Sequence, residues 1–199
     1  MGHVVLLGDS IFDNGRYVPG EPDVAEQLRA ALPDDWAVTL RAIDGAVTRG
    51  VAAQVKRLPA DATHLVVSAG GNDALGASYL LGSRVSSVAE AVALLASAQE
   101  AFAGDYDALV EAVLEAGLPT ALCTIYDTPS TAPDQRIVRT ALAIFNDVIS
   151  RAAFSRRLPL IDFRLICGED EDYANPIEPS AQGGAKIASA IAALVTGSA

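Results

Sequence analysis

Histidine is almost missing from this 199-residue chain: there are two, His3 and His64. Cysteine is as scarce. Cys123 and Cys167 both lie in apolar runs and read as buried thiols, which leaves no disulfide framework and too few thiolates for a structural zinc site. Positive charge is in deficit, with 14 Lys and Arg against 25 Asp and Glu and a formal charge of -11. No basic stripe offsets it, so neither nucleic acid nor an anionic membrane surface is an expected partner. No apolar run nears the ~20 residues of a membrane span. The N-terminus lacks the basic n-region and long apolar stretch of a secretory signal. A soluble protein in a reducing, cytoplasmic compartment is expected. Long linkers, internal repeats and low-complexity tails are absent too, so residues 1–199 are read as a single domain.

What is present is apolar and alternating. Hydrophobic residues make up 51% of the chain, enough for a substantial core. Short β-branched runs ("HVVLLG", "WAVTLRAI", "THLVVSAGGND", "LPTALCTIY", "LPLIDFRLI") alternate with segments of helical spacing. Five such repeats predict a five-stranded parallel sheet with helices on both faces, a flavodoxin-like three-layer α/β/α sandwich. The Ala-rich stretch from about Ser86 to Ala116 is expected to hold one long helix, or two interrupted near Gly104. The acidic run Glu169–Asp172 has neither spaced ligands nor a glycine turn, so it is read as a solvated loop rather than a metal site. No cofactor and no metal are expected.

Ligands of open parallel sheets bind beyond the carboxyl ends of the strands. The first strand delivers Gly8-Asp9-Ser10 there. The second delivers Asp44-Gly45, the third Gly70-Gly71-Asn72-Asp73, the fourth Tyr126-Asp127-Thr128, and the sequence "NPIEPS" precedes the last helix. A serine at a strand-to-helix junction presents its hydroxyl where backbone N–H groups point outward, the setting of a nucleophile. The N–H groups of Ser10 and Gly45 and the uncharged side-chain amide of Asn72 would form a three-donor oxyanion hole. Gly45 suits this because it has no Cβ to block close approach. Asp9, Tyr126 and Ile177 are expected on the substrate side, with Asp9 also holding its turn by local hydrogen bonds. Residues 74–86 are read as a long loop in the pocket wall, able to act as a lid, with Leu80 and Leu81 lining an acyl site or packing in the core.

These blocks resemble those of the SGNH (GDSL-type) hydrolases over nearly the whole chain. Gly8-Asp9-Ser10 matches the family's first block, Gly45 its second-block glycine, and Gly70-Gly71-Asn72-Asp73 its GxND block, in the family's order. The resemblance implies the SGNH hydrolase fold and cleavage of small esters through an acyl-serine, without a cofactor. The family's DxxH block, just before the last helix, supplies a histidine base and its orienting aspartate. Here the aligned residues read Asn175-Pro176-Ile177-Glu178.

Neither histidine replaces it. Both His3 and His64 belong to the amino ends of their strands, and a strand of five or six residues spans roughly 17–20 Å. Glu178 is therefore the candidate base. A carboxylate only accepts hydrogen bonds, so a donor should replace the aspartate, and Asn175 has an NH2 to give. Two other readings stay open: a catalytically impaired descendant that binds a small acyl or sugar ligand, and a hydrolase whose proton acceptor is another residue, such as Asp127, or comes from a partner subunit.

Overall fold

The computed structural model describes residues 1–197. Five parallel strands form one sheet: β1 (Gly2–Gly8), β2 (Trp36–Leu40), β3 (His64–Ser68), β4 (Thr120–Cys123) and β5 (Leu160–Ile161), in the order β2-β1-β3-β4-β5. Among the described residues, seven α-helices connect and follow them: α1 (Val24–Ala31), α2 (Thr48–Gln54), α3 (Gly71–Gly76), α4 (Val88–Leu114), α5 (Gln135–Ser155), α6 (Phe163–Ile166) and α7 (Ala181–Thr196). Successive side chains of a strand point to opposite faces, and the core splits accordingly. Val4, Leu6, Val38 and Val66 pack against α1 and α7 through Leu28, Ile187 and Ile191. Val5, Leu7, Leu65, Val67 and Leu122 pack against α2, α4 and α5 through Val51, Tyr106, Val110 and Ile149. The result is the three-layer sandwich.

The strand order reverses between β1 and β3, which makes the carboxyl ends of those two strands the expected crevice. Gly8 closes β1 at that point. Its φ is +147°, and a Cβ would collide with the Ser68 carbonyl of β3, so the two strands approach this closely only with glycine.

One expectation from the sequence is narrowed and another changes. Of the two forms expected for the Ala-rich stretch, it takes the single helix, α4, of 27 residues. Gly104 lies in its interior, where a glycine costs about 1 kcal/mol, less than the packing of Phe102, Tyr106 and Leu109 on either side returns. The fifth strand is two residues long rather than the whole of "LPLIDFRLI", because the Asp162 side chain accepts the Arg164 N–H and starts α6.

Helix length has a consequence for the site. At 1.5 Å per residue α4 is about 40 Å long and α5, with 21 residues, about 31 Å. The longest strand, β1, has seven residues and reaches only about 23 Å. Both helices run antiparallel to the strands they connect, so the excess is their N-terminal halves, standing beyond the carboxyl ends of the sheet. The buried positions agree: they begin at Phe102 in α4 and at Phe145 in α5. The space between the two overhanging halves is left for something other than the sheet.

Candidate active site

Ser10 follows β1 in a single tight turn, in which the Asp9 carbonyl accepts the N–H groups of Phe12 and Asp13 at 3.2 and 3.1 Å. Ser10 is buried, 5% exposed, and its Oγ donates to Glu178 Oε1 at 3.4 Å. That is long for an O–H···O bond, and catalytic hydrogen bonds commonly begin long and tighten during reaction. Glu178 is itself buried, and its carboxylate accepts no other hydrogen bond among the described residues.

The oxyanion donors expected from the sequence lie around the same crevice. Among the described residues, the N–H groups of Ser10 and Gly45 carry no hydrogen bond. The turn that carries Gly45 is tied down on all sides. Asp13 accepts the Asp44 N–H at 2.9 Å, Asp73 accepts both the N–H and hydroxyl of Thr48, and Asn72 Nδ2 donates to the Ala46 carbonyl at 3.0 Å. Asn72 thus spends one amide hydrogen on that turn and keeps the other. Gly45 also has a conformational reason: a Cβ would meet no protein atom within 4 Å, but its φ of +78° is left-handed backbone that favours glycine.

Asn175 does not play the part read from the sequence. Its Oδ1 accepts the N–H groups of Ile177 and Glu178 at 2.9 and 3.2 Å, and its NH2 makes no bond to the Glu178 carboxylate. An asparagine side chain bonds its own backbone two residues on in this way, and Pro176 keeps that backbone extended enough for it. Orientation comes instead from the two carbonyls that flank Glu178. The Tyr126 hydroxyl donates to Ile177 O, and Asn14 Nδ2 donates to Pro179 O at 3.2 Å. The Glu178 carbonyl accepts the Ala174 N–H at 2.9 Å.

The acidic run is also not a solvated loop throughout. Asp172 is fully buried, 2.8 Å from Lys186 of α7, and receives Gln182 at 3.0 Å. Burial pushes its carboxyl pKa up, but hydrogen bonds from Lys186, the Glu169 N–H and Gln182 hold it below the usual carboxylate value. Asp172 O in turn accepts the Ser180 N–H at 2.9 Å, fixing the far end of the Glu178 loop to the start of α7.

Asn14, four residues after Ser10, carries no chemical signal of its own in the sequence. It is fully buried, and its Oδ1 accepts the Val24 N–H at the start of α1. One side chain therefore joins α1 to the Glu178 loop. Asn14→Ala is expected to lower unfolding free energy by about 1–3 kcal/mol, the cost of stranding a buried partner, read from urea denaturation midpoints; an unchanged midpoint would refute the joint.

Asp9 is buried, 2% exposed, with Oδ1 accepting the Ile11 N–H at 3.1 Å. Burial raises its pKa to about 7, helped by the nearby charges of Asp73 and Glu178 and opposed by the Ile11 bond. The histidines lie at the opposite edge of the sheet: His3 Nε2 meets Thr39 Oγ1 at 2.8 Å and His64 Nδ1 meets Thr63 Oγ1 at 2.8 Å. Asp127, the other carboxyl considered as acceptor, pairs with Arg139 at 3.4 Å and makes no hydrogen bond to Ser10.

A cavity of about 170 Å³ opens beside Ser10. Asp9, Asn72, Tyr126, Asp127, Thr128 and Ile177 are in its lining, and most of the remaining wall is apolar. In α5 the lining residues are Val138, Ala141, Leu142 and Phe145, spaced i, i+3, i+4, i+7. That stripe was visible in the sequence as an amphipathic pattern, but nothing there said that it faces a void.

No curated protein matches the chain at a significant level. Among solved structures it superposes end to end on several hydrolases at low identity. A phospholipase A1 from Streptomyces albidoflavus NA297 gives a TM-score of 0.70 at 18% identity, covering 100% of this chain and 99% of that one. Est24, a carbohydrate acetylesterase from Sinorhizobium meliloti, gives 0.71 at 13%, covering 100% of both, and an aryl esterase of M. smegmatis gives 0.71 at 15%, covering 99% of both. These likenesses establish the fold. The sequence itself carries the assignment: residues 6–186 match the GDSL-like lipase/acylhydrolase family, and the chain belongs to that family.

Proposed function

We propose that the protein is a serine hydrolase of small carboxylic esters, with Ser10 as nucleophile and Glu178 in place of the family's histidine. The observation that carries this is the buried Ser10–Glu178 pair at 3.4 Å, set beside two free N–H groups and an apolar cavity. Asn175-Pro176-Ile177-Glu178 then stands where the DxxH block would be, and the tethers on Ile177 O and Pro179 O do the orienting that an aspartate does for histidine.

The Ser10 hydroxyl passes its proton to the Glu178 carboxylate as Oγ bonds to the ester carbonyl carbon. The carbonyl oxygen takes up the negative charge and is met by the N–H groups of Ser10 and Gly45 and by the spare hydrogen of Asn72. Collapse breaks the bond to the alcohol oxygen, which leaves with the proton from Glu178. Water repeats the sequence on the acyl-serine, returning the proton to Ser10 and releasing the acid. A carboxylic acid is a serviceable donor to an alkoxide or phenolate and a poor match for an amine, so esters are favoured over amides. The phospholipase A1, carbohydrate acetylesterase and aryl esterase among the similar folds support a carboxylic ester as the substrate class.

The nucleophile is tested directly by incubation with an alkyl fluorophosphonate and peptide mass spectrometry. One phosphonyl group on the peptide containing Ser10 is expected. An unlabelled Ser10 under conditions that label a serine esterase control would refute the assignment and favour a ligand-binding protein.

A further inference from the structure

Resting on that reading of Ser10, we propose that the cavity between the overhanging halves of α4 and α5 is an acyl site sized for medium-length chains, about six to eight carbons, with Leu95 as its end wall. Three observations converge. The lining is mostly apolar: Leu80 from the segment after α3, Leu95 and Ala98 from α4, and Val138, Leu142 and Phe145 from α5. Most of these side chains are only half-buried, so their apolar surface faces the void instead of packing in the core. The volume of about 170 Å³ is close to that of a dry aliphatic cavity of ~150 Å³ that takes up benzene, six carbons.

The end wall follows from a second hollow. An open groove outside the first is lined by Ser130, Gln135, Ile137 and Thr140, and shares Leu81, Leu95 and Ala141 with the acyl cavity. These shared side chains separate the two spaces. Removing one should let a longer chain run through into the groove, whereas filling the cavity near Ser10 should exclude all but the shortest. Polar groups gather at the other side of the nucleophile. Arg16 and the Tyr17 hydroxyl both bond Asp44, beside Gly45, at 2.9 and 3.1 Å. The substrate is thus an ester with an apolar acyl part inside and a polar alcohol part at the mouth.

The test is kcat/KM for p-nitrophenyl acetate, butyrate, hexanoate, octanoate and decanoate with the parent, Ser10→Ala, Ala98→Leu and Leu95→Ala. In the parent, each methylene seated in the cavity should raise kcat/KM about fourfold, with the maximum at hexanoate or octanoate. Ala98→Leu should move the maximum to acetate or butyrate, and Leu95→Ala should move it to decanoate. Opposite shifts from the two variants are not what a purely structural role predicts. Activity that depends on Ser10 but peaks at acetate, or keeps its profile in both variants, overturns the acyl site and leaves the hydrolase reading standing. Activity that survives Ser10→Ala, or no turnover of any ester, overturns the hydrolase reading instead. The cavity is then judged by calorimetry on Ser10→Ala: tighter binding of p-nitrophenyl hexanoate than of the acetate supports it, and equal affinity sinks it.

Discussion

Glu178→Gln should lower kcat for p-nitrophenyl butyrate by about 10²–10⁴-fold, the contribution of a positioned general base, while KM changes little. Glutamine has the size of glutamate, and its carbonyl can still accept the Ser10 hydroxyl. It cannot take the proton. The carboxylate does not line the acyl cavity, so substrate binding through the aliphatic wall is untouched. The loop is held by backbone tethers from Tyr126 and Asn14 rather than by the carboxylate, so the fold should survive, with an unchanged urea midpoint. Steady-state kinetics of the two purified proteins decide the matter. Equal kcat values would mean that the proton goes elsewhere, with Asp127, on the same cavity wall but paired to Arg139, as the next carboxyl to mutate.

The split between what the sequence discloses and what it hides has a physical basis. The parallel sheet, the edge at which ligands bind and the presence of Ser10, Gly45, Asn72 and Glu178 on that edge follow from local signals, because a parallel sheet delivers every strand end to one edge. The features that misled depend on partners far away in the chain. Asp172 looks like one charge in a solvated run until α7 brings Lys186 beneath it. Asp162 sits in a strand-like string, yet its side chain starts a helix and accepts the hydroxyl of Thr124, the residue after β4. Asn175 appears to face Glu178, but a bond to its own backbone is nearer at hand. The cavity beside Ser10 is invisible for another reason. It is set by the difference in length between helices and strands, and a stripe such as Val138, Ala141, Leu142 and Phe145 reads alike whether it meets a sheet or a void.

The second large effect is expected in stability against pH. Asp9 binds its proton with a pKa raised from 3.8 to about 7 by burial. Between those values the folded protein holds a proton that the unfolded chain has released, so stability is fully present below about pH 4 and is lost as pH rises towards 7. The loss from this carboxyl between pH 5 and pH 7 is about 2–3 kcal/mol. Asp172 acts in a separate window and with the opposite sign: its lowered pKa gives stability above the usual carboxylate range that disappears only in stronger acid. His64 also opposes Asp9, because burial lowers its proton affinity and favours the folded state as pH rises. The parent's net slope mixes these terms, and the Asp9→Asn protein separates them. Asparagine retains an oxygen for the Ile11 N–H but cannot ionise. Urea denaturation at half-unit steps from pH 4 to 8 should show the two proteins diverging as pH rises, with Asp9→Asn the more stable above pH 7. Curves that run parallel across that range would mean that the Asp9 carboxyl titrates alike in folded and unfolded chains. The Asp9 charge, buried next to Ser10, would then be present from about pH 5 to 8, and the proposed oxyanion donors would have to act against it.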